Sequence, residues 1–191
     1  MTVPLTLLGL LEREPSHGYD LKRDYDAFFG RGKPLPTDIR YGAMLEVPAL
    51  ADVLDFLWPS LDFLSIGTND LTQFLFAADR ADPRLALRYD WLSPAILRFL
   101  RRVTRAAHEA GKPVAVCGEM GGRPLEAMAL IALGIDRLSI TPAAVGPVKA
   151  MIRSLDRAAA MTEIDRLLAT PSRTLRPALE EWAKANGVEL S

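Results

Sequence analysis

The chain has 191 residues with 49% hydrophobic content, and its 23 Lys+Arg against 24 Asp+Glu leave a formal net charge of -1. That balance excludes the overall basic footprint of a nucleic-acid binder. One cysteine excludes an internal disulfide and fits a reducing, cytoplasmic setting. From the N-terminus, Leu5–Leu11 is predicted as a short apolar helix. Glu12, Arg13 and Glu14 interrupt it, and it lacks a basic leader, so it reads neither as a signal peptide nor as a membrane span. Glu14 to Leu21 reads as a turn and a second helix start, with Ser16 as cap.

Beyond Pro36 the pattern alternates strand and helix. Strands are predicted at Ala43–Val47, Phe63–Gly67, Val114–Cys117 and Arg137–Ile140. Helices are predicted over Ala49–Leu57, from Ser93-Pro94 to Gly111, from Pro124 to Gly134, and after Gly146-Pro147 to about Leu155. Two polar-faced helices, about Thr162–Leu168 and Leu175–Asn186, follow. The βαβα order implies parallel strands with helices outside them. Four strand candidates are half the number that closes a (β/α) barrel of about 250 residues. The expected fold is therefore α/β, a partial TIM-type barrel of about four βα units, with a helical N-terminal leader and C-terminal helices.

Three strands end in chemistry. The first runs into Glu46, the second into Thr68-Asn69-Asp70 with Arg80 a short segment later, and the third ends in Cys117-Gly118-Glu119. In a β/α barrel the C-terminal edge of the strands is where reactive groups gather. A carboxylate holds a hard cation through oxygen, and a guanidinium grips phosphate oxygens in pairs. Together these suit a phosphorylated anion and its metal, whereas Asn69-Asp70 alone would read as a helix cap. Cys117 alone would read as a small buried core residue. Gly118, Gly121 and Gly122 allow a tight loop that approaches a ligand, or an ordinary flexible one.

Other features carry blander readings. Arg98, Arg101, Arg102 and Arg105 are expected on a solvated helix face, and Met128 in the core. His17 and His108 have no evident partners for metal binding; His108 is expected near a helix C-terminus at the surface.

From about Tyr41 onward the chain resembles the C-terminal part of the barrel of the phosphoenolpyruvate-utilising enzymes. The likeness is greatest to the phosphoenolpyruvate-protein phosphotransferases, whether enzyme I of the sugar phosphotransferase system or the nitrogen-related paralogue. Ser65 to Arg80, Cys117-Gly118-Glu119, Asp79-Arg80, Tyr89-Asp90 and Leu92-Ser93-Pro94 carry the resemblance. It implies that Glu46 and Asp70 hold Mg2+, Asn69 hydrogen-bonds the substrate, and Arg80 binds its phosphate. Cys117 would protonate the enolate as pyruvate forms. It further implies phosphoenolpyruvate and pyruvate as ligands, a phosphocarrier protein as partner of the intact enzyme, and a homodimer. Neither the phosphohistidine domain nor the earlier strands with their phosphate-binding arginines is recognisable, so little turnover is expected from this chain alone.

Residues 1–36 are similar to the start of PadR-like winged-helix regulators, through Leu7 to Leu11, Ser16 to Leu21 and Gly30 to Pro36. The sequence turns barrel-like where a recognition helix and wing should follow. The expected division is a leader at 1–37, a partial phosphoenolpyruvate-binding barrel at 38–156 and a helical cap at 157–191. The alternatives are a DNA-binding regulator using the barrel-like part as its body, or a fusion or artefact joining two unrelated genes.

Overall fold

Four short parallel strands, hydrogen-bonded in chain order, build the sheet of this computed structural model. The structure describes residues 40–79, 81, 82, 84, 85 and 90–191. The regulator-like segment with His17, as well as Arg80 and Tyr89, lie outside the described residues. The strands are β1 (Gly42–Leu45), β2 (Phe63–Gly67), β3 (Val114–Cys117) and β4 (Arg137–Ser139). Leu45 pairs with Ile66, Ile66 with Val116, and Cys117 with both Gly67 and Ser139. Unpermuted parallel order with a helix after every strand is the architecture of a partial (β/α) barrel.

The helices among the described residues are α1 (Leu54–Leu57), α2 (Thr68–Phe76), α3 (Pro94–Glu109), α4 (Pro124–Ala132), α5 (Val145–Ser154), α6 (Arg157–Leu168) and α7 (Arg176–Ala185). In α3, Ser93 Oγ accepts a hydrogen bond from the Ile96 amide and Pro94 occupies the first turn, both sound start signals. Ile96, Leu97, Leu100, Val103, Thr104 and Ala107 form the buried stripe of that helix. Gly111, at φ +68°, ends it in the left-handed region where glycine carries no Cβ penalty. Helix α4 is buried nearly all round, because it lies between its neighbours α5 and α6 and the loop after β3.

Two expected helices came out differently. The stretch predicted over Ala49–Leu57 is a 3-10 turn (Pro48–Asp52), then the single-turn α1, then another 3-10 turn (Trp58–Ser60). Val53 leaves helical geometry at φ -122°, and Pro59 lacks an amide hydrogen for a continuing ladder. Helix α6 starts at Arg157 rather than Thr162, because Asp156 accepts the Ala158 and Ala159 amides and caps it early.

Residues Arg40–Ser191 form one compact unit. Ala160, Ile164 and Leu167 from α6, Leu175 just before α7, and Leu179 and Ala183 within it belong to the same apolar cluster as Leu64, Ile66 and Val116 from the sheet. The C-terminal helices therefore share the sheet's core. Glu126 of α4, only 2% exposed, is met by Arg176 Nη2 at 2.7 Å, which also reaches Asp90 Oδ1 at 3.1 Å. Thr174 donates its hydroxyl to the other oxygen of Asp90. A charged cluster thus fastens the head of α7 to α4 and to the segment before α3.

The arginines of α3 are less free than expected. Arg98 donates to the Leu168 carbonyl at the end of α6, and Arg101 pairs with Asp165 of the same helix. Arg102 meets Asp52 at 3.2 Å and lies over the Phe99 ring. A groove of about 620 Å³ runs between these residues. It is larger than the cavity at the strand ends, but Arg98 and Arg101 are engaged in holding α6 and Arg102 pairs with Asp52, so it is a helix-packing seam. At the opposite edge of the sheet, His108 Nε2 lies 3.0 Å from Asp136 Oδ2, which also accepts the Val114 amide at 2.8 Å.

Candidate functional site

Every strand runs in the same direction, so the groups after β1, β2 and β3 meet at one edge. Glu46 follows Leu45 directly, and its carboxylate lies over Gly67: a Cβ on Gly67 would come within 2.9 Å of Glu46 Oε2. Asn69 and Asp70 occupy the first turn of α2, immediately after β2. Cys117 is the last residue of β3.

The asparagine does not cap its own helix; no side chain does so at the start of α2. Instead Asn69 Oδ1 accepts the Glu119 amide at 3.2 Å, across to the loop after β3. Beside it, Thr68 donates its hydroxyl to the Cys117 carbonyl at 3.2 Å. These two bonds tie the β2 end to the β3 end. Gly118 makes them possible. It sits at φ +116°, and a Cβ there would fall 2.5 Å from Thr68 Oγ1 and 3.0 Å from Asn69 Oδ1. The tight approach that glycine allows is thus between two protein loops.

Cys117 is half-buried and free. Its sulfur receives the Ser65 hydroxyl at 3.7 Å, and lies 3.6 Å from the Ile66 carbonyl and 3.5 Å from Met44 Sδ. These long sulfur contacts orient the thiol without enclosing it. A cavity of about 530 Å³ opens beside it, lined by Asn69, Cys117, Gly118, Glu119, Arg123 and, at the end of β4 and just beyond it, Ser139 to Thr141.

The predicted residues divide as follows. Asn69 and Cys117 line the cavity, whereas Glu46 and Asp70 stand at the same edge without lining it. Arg80 lies outside the described residues. Arg123, Ser139 and Thr141 line the cavity without belonging to any sequence motif. The one local signal for Arg123 was its place directly after Gly121-Gly122 and before the helix-opening Pro124.

Glu46 and Asp70 are half-buried, and neither has an ion-pair partner among the described residues. No group of three or more His, Cys, Asp or Glu among the described residues could hold a metal unaided. Two carboxylates nevertheless suit magnesium, which fills its remaining positions with water and substrate phosphate oxygens. A cation here would depend on its ligand. No helix among the described residues is long and apolar enough to cross a membrane.

Residues 23–157 match the family described as PEP-utilising enzyme, PEP-binding domain. The match begins inside the segment with regulator-like words. The multiphosphoryl transfer protein of Escherichia coli O6:H1 is 38% identical over 174 residues, covering 84% of this chain and 20% of that protein. The phosphoenolpyruvate-protein phosphotransferase of Geobacillus stearothermophilus is 41% identical over 135 residues, 71% of this chain and 23% of its own length. Its Bacillus subtilis counterpart is 38% identical over 138 residues, 72% and 24%. The chain spans between a fifth and a quarter of the curated relatives it matches. With a parallel β/α sheet and a family match over most of its length, the chain belongs to the PEP-utilising enzymes, within their PEP-binding domain.

Proposed function

We propose that this chain is the phosphoenolpyruvate-binding portion of a phosphoenolpyruvate-protein phosphotransferase. The observation that carries the reading is the bond from the Glu119 amide to Asn69 Oδ1, which joins the two motif-bearing strand ends beside one cavity.

In this reading Asn69 orients the ligand and Arg80 grips its phosphate. Glu46 and Asp70 hold Mg2+, which would neutralise charge on the phosphoryl oxygens. Phosphoryl transfer needs positioning and charge neutralisation above all, so these few side chains match its demands. The bond between the enol oxygen and phosphorus breaks as an acceptor histidine takes the phosphoryl group. The enolate left behind takes a proton at its methylene carbon from the Cys117 thiol, giving pyruvate, and solvent restores the thiol. Half-buried placement beside the cavity lets the sulfur reach a ligand while shielding it from bulk water.

The acceptor histidine belongs to another domain or chain, so turnover by this chain alone is expected to be slight. A phosphocarrier protein would be the onward partner. A thiol that must stay reduced suits the cytoplasm. Among the described residues no strand pairs with the outer edges of β1 and β4, which favours self-association, hence a homodimer.

The test is calorimetric titration of phosphoenolpyruvate into the chain with and without Mg2+, alongside Asp70→Ala. Binding is expected with magnesium and the wild-type chain, and at least about tenfold weaker without either. Binding indifferent to both would remove the metal-bridged reading. Rapid magnesium-dependent pyruvate formation by the purified chain would overturn the expectation of slight turnover.

A further inference from the structure

The ligand proposed above carries a phosphate and a carboxylate, while the described residues at the strand ends are rich in negative charge: Glu46, Asp70 and Glu119. Among the described residues that line the cavity, one cation stands against them, Arg123. It heads α4 and directly follows the loop after β3. Its guanidinium carbon lies 4.9 Å from the centroid of the Trp91 ring, over the ring face.

Stacking has a chemical consequence. A guanidinium that lies over an aromatic ring uses its face and leaves the N–H donors of its edge unspent. Its backbone is engaged by Met120 and Ala127, but its guanidinium has no hydrogen bond or ion pair among the described residues. In this it differs from Arg98, Arg101, Arg102 and Arg176, all of which are engaged by a carboxylate or a carbonyl. Trp91 is itself half-buried and packed against the core, so the platform beneath the guanidinium is fixed. The side chain is thus pre-oriented, charged, uncommitted and on the cavity wall.

We propose that Arg123 is a guanidinium contact for the anionic ligand, held ready by Trp91 and additional to the contact proposed for Arg80. This rests on the phosphoenolpyruvate reading and adds to it a residue from outside the motifs. Charge supports the assignment: two guanidinium groups and a divalent cation together can match the charges of a ligand with a phosphate and a carboxylate. Without Arg123 no described cation would line the cavity to offset its carboxylate, Glu119. Planar guanidinium groups suit either end, because both present paired oxygens.

The experiment is titration of phosphoenolpyruvate, in the presence of Mg2+, into the full chain and into Arg123→Ala and Arg123→Lys. Thermal melts would check that all three are folded. Arg123→Ala is expected to weaken binding about tenfold or more, and Arg123→Lys to restore only part of it, since an ammonium keeps charge but not the planar fork. Parallel titrations with inorganic phosphate and with pyruvate place the contact. A loss shared with phosphate puts Arg123 at the phosphoryl end, and a loss shared with pyruvate puts it at the carboxylate end; either supports the assignment. Wild-type binding that Arg123→Ala leaves unchanged overturns the role of Arg123 alone. Absence of binding by the wild-type chain overturns both this inference and the reading beneath it.

Discussion

The two faces of the sheet obey opposite rules. On one, Leu45, Leu64, Ile66, Val114 and Val116 are all 0% exposed beneath the helices. On the other, Met44, Ser65, Ala115, Cys117, Arg137 and Ser139 project from the same strands, and none of them is fully buried. A parallel sheet with βα connections is ordinarily covered on both sides. In a closed barrel the second face would be the packed interior, filled by side chains from opposing strands. Here the described residues supply four strands, and the interior positions are small, polar or half-exposed. The face under the helices makes the fold, while the face turned from them carries Cys117 and its neighbours. Among the described residues, stability and chemistry are therefore carried largely by opposite faces of the sheet.

Substitutions can break that comparison. The largest effect is expected at the covered face. Leu64→Ala should cost about 3 kcal/mol, within the 2 to 5 typical of a large-to-small change in a tight core. Met44→Ala, on the open face at 47% exposure, should cost under about 0.5 kcal/mol. Urea denaturation of both variants measures the contrast. A Met44→Ala cost as large as that of Leu64→Ala would show that the open face is covered in solution.

Next comes the charged fastening on the covered side. Arg176→Ala leaves Glu126 as a buried carboxylate without its guanidinium, and such a broken pair costs about 3 kcal/mol. Changing both partners to apolar residues of similar size should recover much of that loss. If instead Arg176→Ala melted like wild type, α7 would be held by its apolar contacts alone.

The smallest effect lies at the far edge of the sheet. Burial pushes the Asp136 carboxyl up, but the Val114 amide and the His108 ring outweigh it, with a smaller contribution from Arg157. The net value falls below the usual 3.8. A carboxylate lowered on folding stabilises the native state above its unfolded value. The stability gap between wild type and Asp136→Asn should therefore be full above about pH 4 and shrink as acid protonates the folded carboxylate. Asp136 is over a third exposed, so solvent keeps the gap small. A gap that grew on acidification would mean that the partners no longer favour the charged form.

How much of this was legible beforehand depended on the range of the signal. Strands β2 and β3 fall at their expected residues, because a run of alternating apolar side chains bounded by glycine is a local pattern. The Ala49–Leu57 helix did not materialise as one element, since apolar content cannot by itself reveal a break at Val53. The arginine-rich face of α3 read as solvated, because its partners Asp165 and the Leu168 carbonyl lie more than 60 residues away in the chain.

At the site itself, sequence determined which chemical groups stand at the strand ends. A carboxylate, an amide and a thiol placed just after successive parallel strands must share one edge, whatever else the chain does. Tertiary structure alone decided what those groups do to one another. It turned Asn69 from a possible helix cap into the acceptor that holds the β3 loop, and set Gly118 against Thr68. It also brought Arg123 onto Trp91, and Arg176 onto Glu126, 50 positions apart in the chain. Local patterns encode what each residue can offer. Only packing between distant segments decides which offers are taken, because burial and partner distance are properties of the folded chain as a whole.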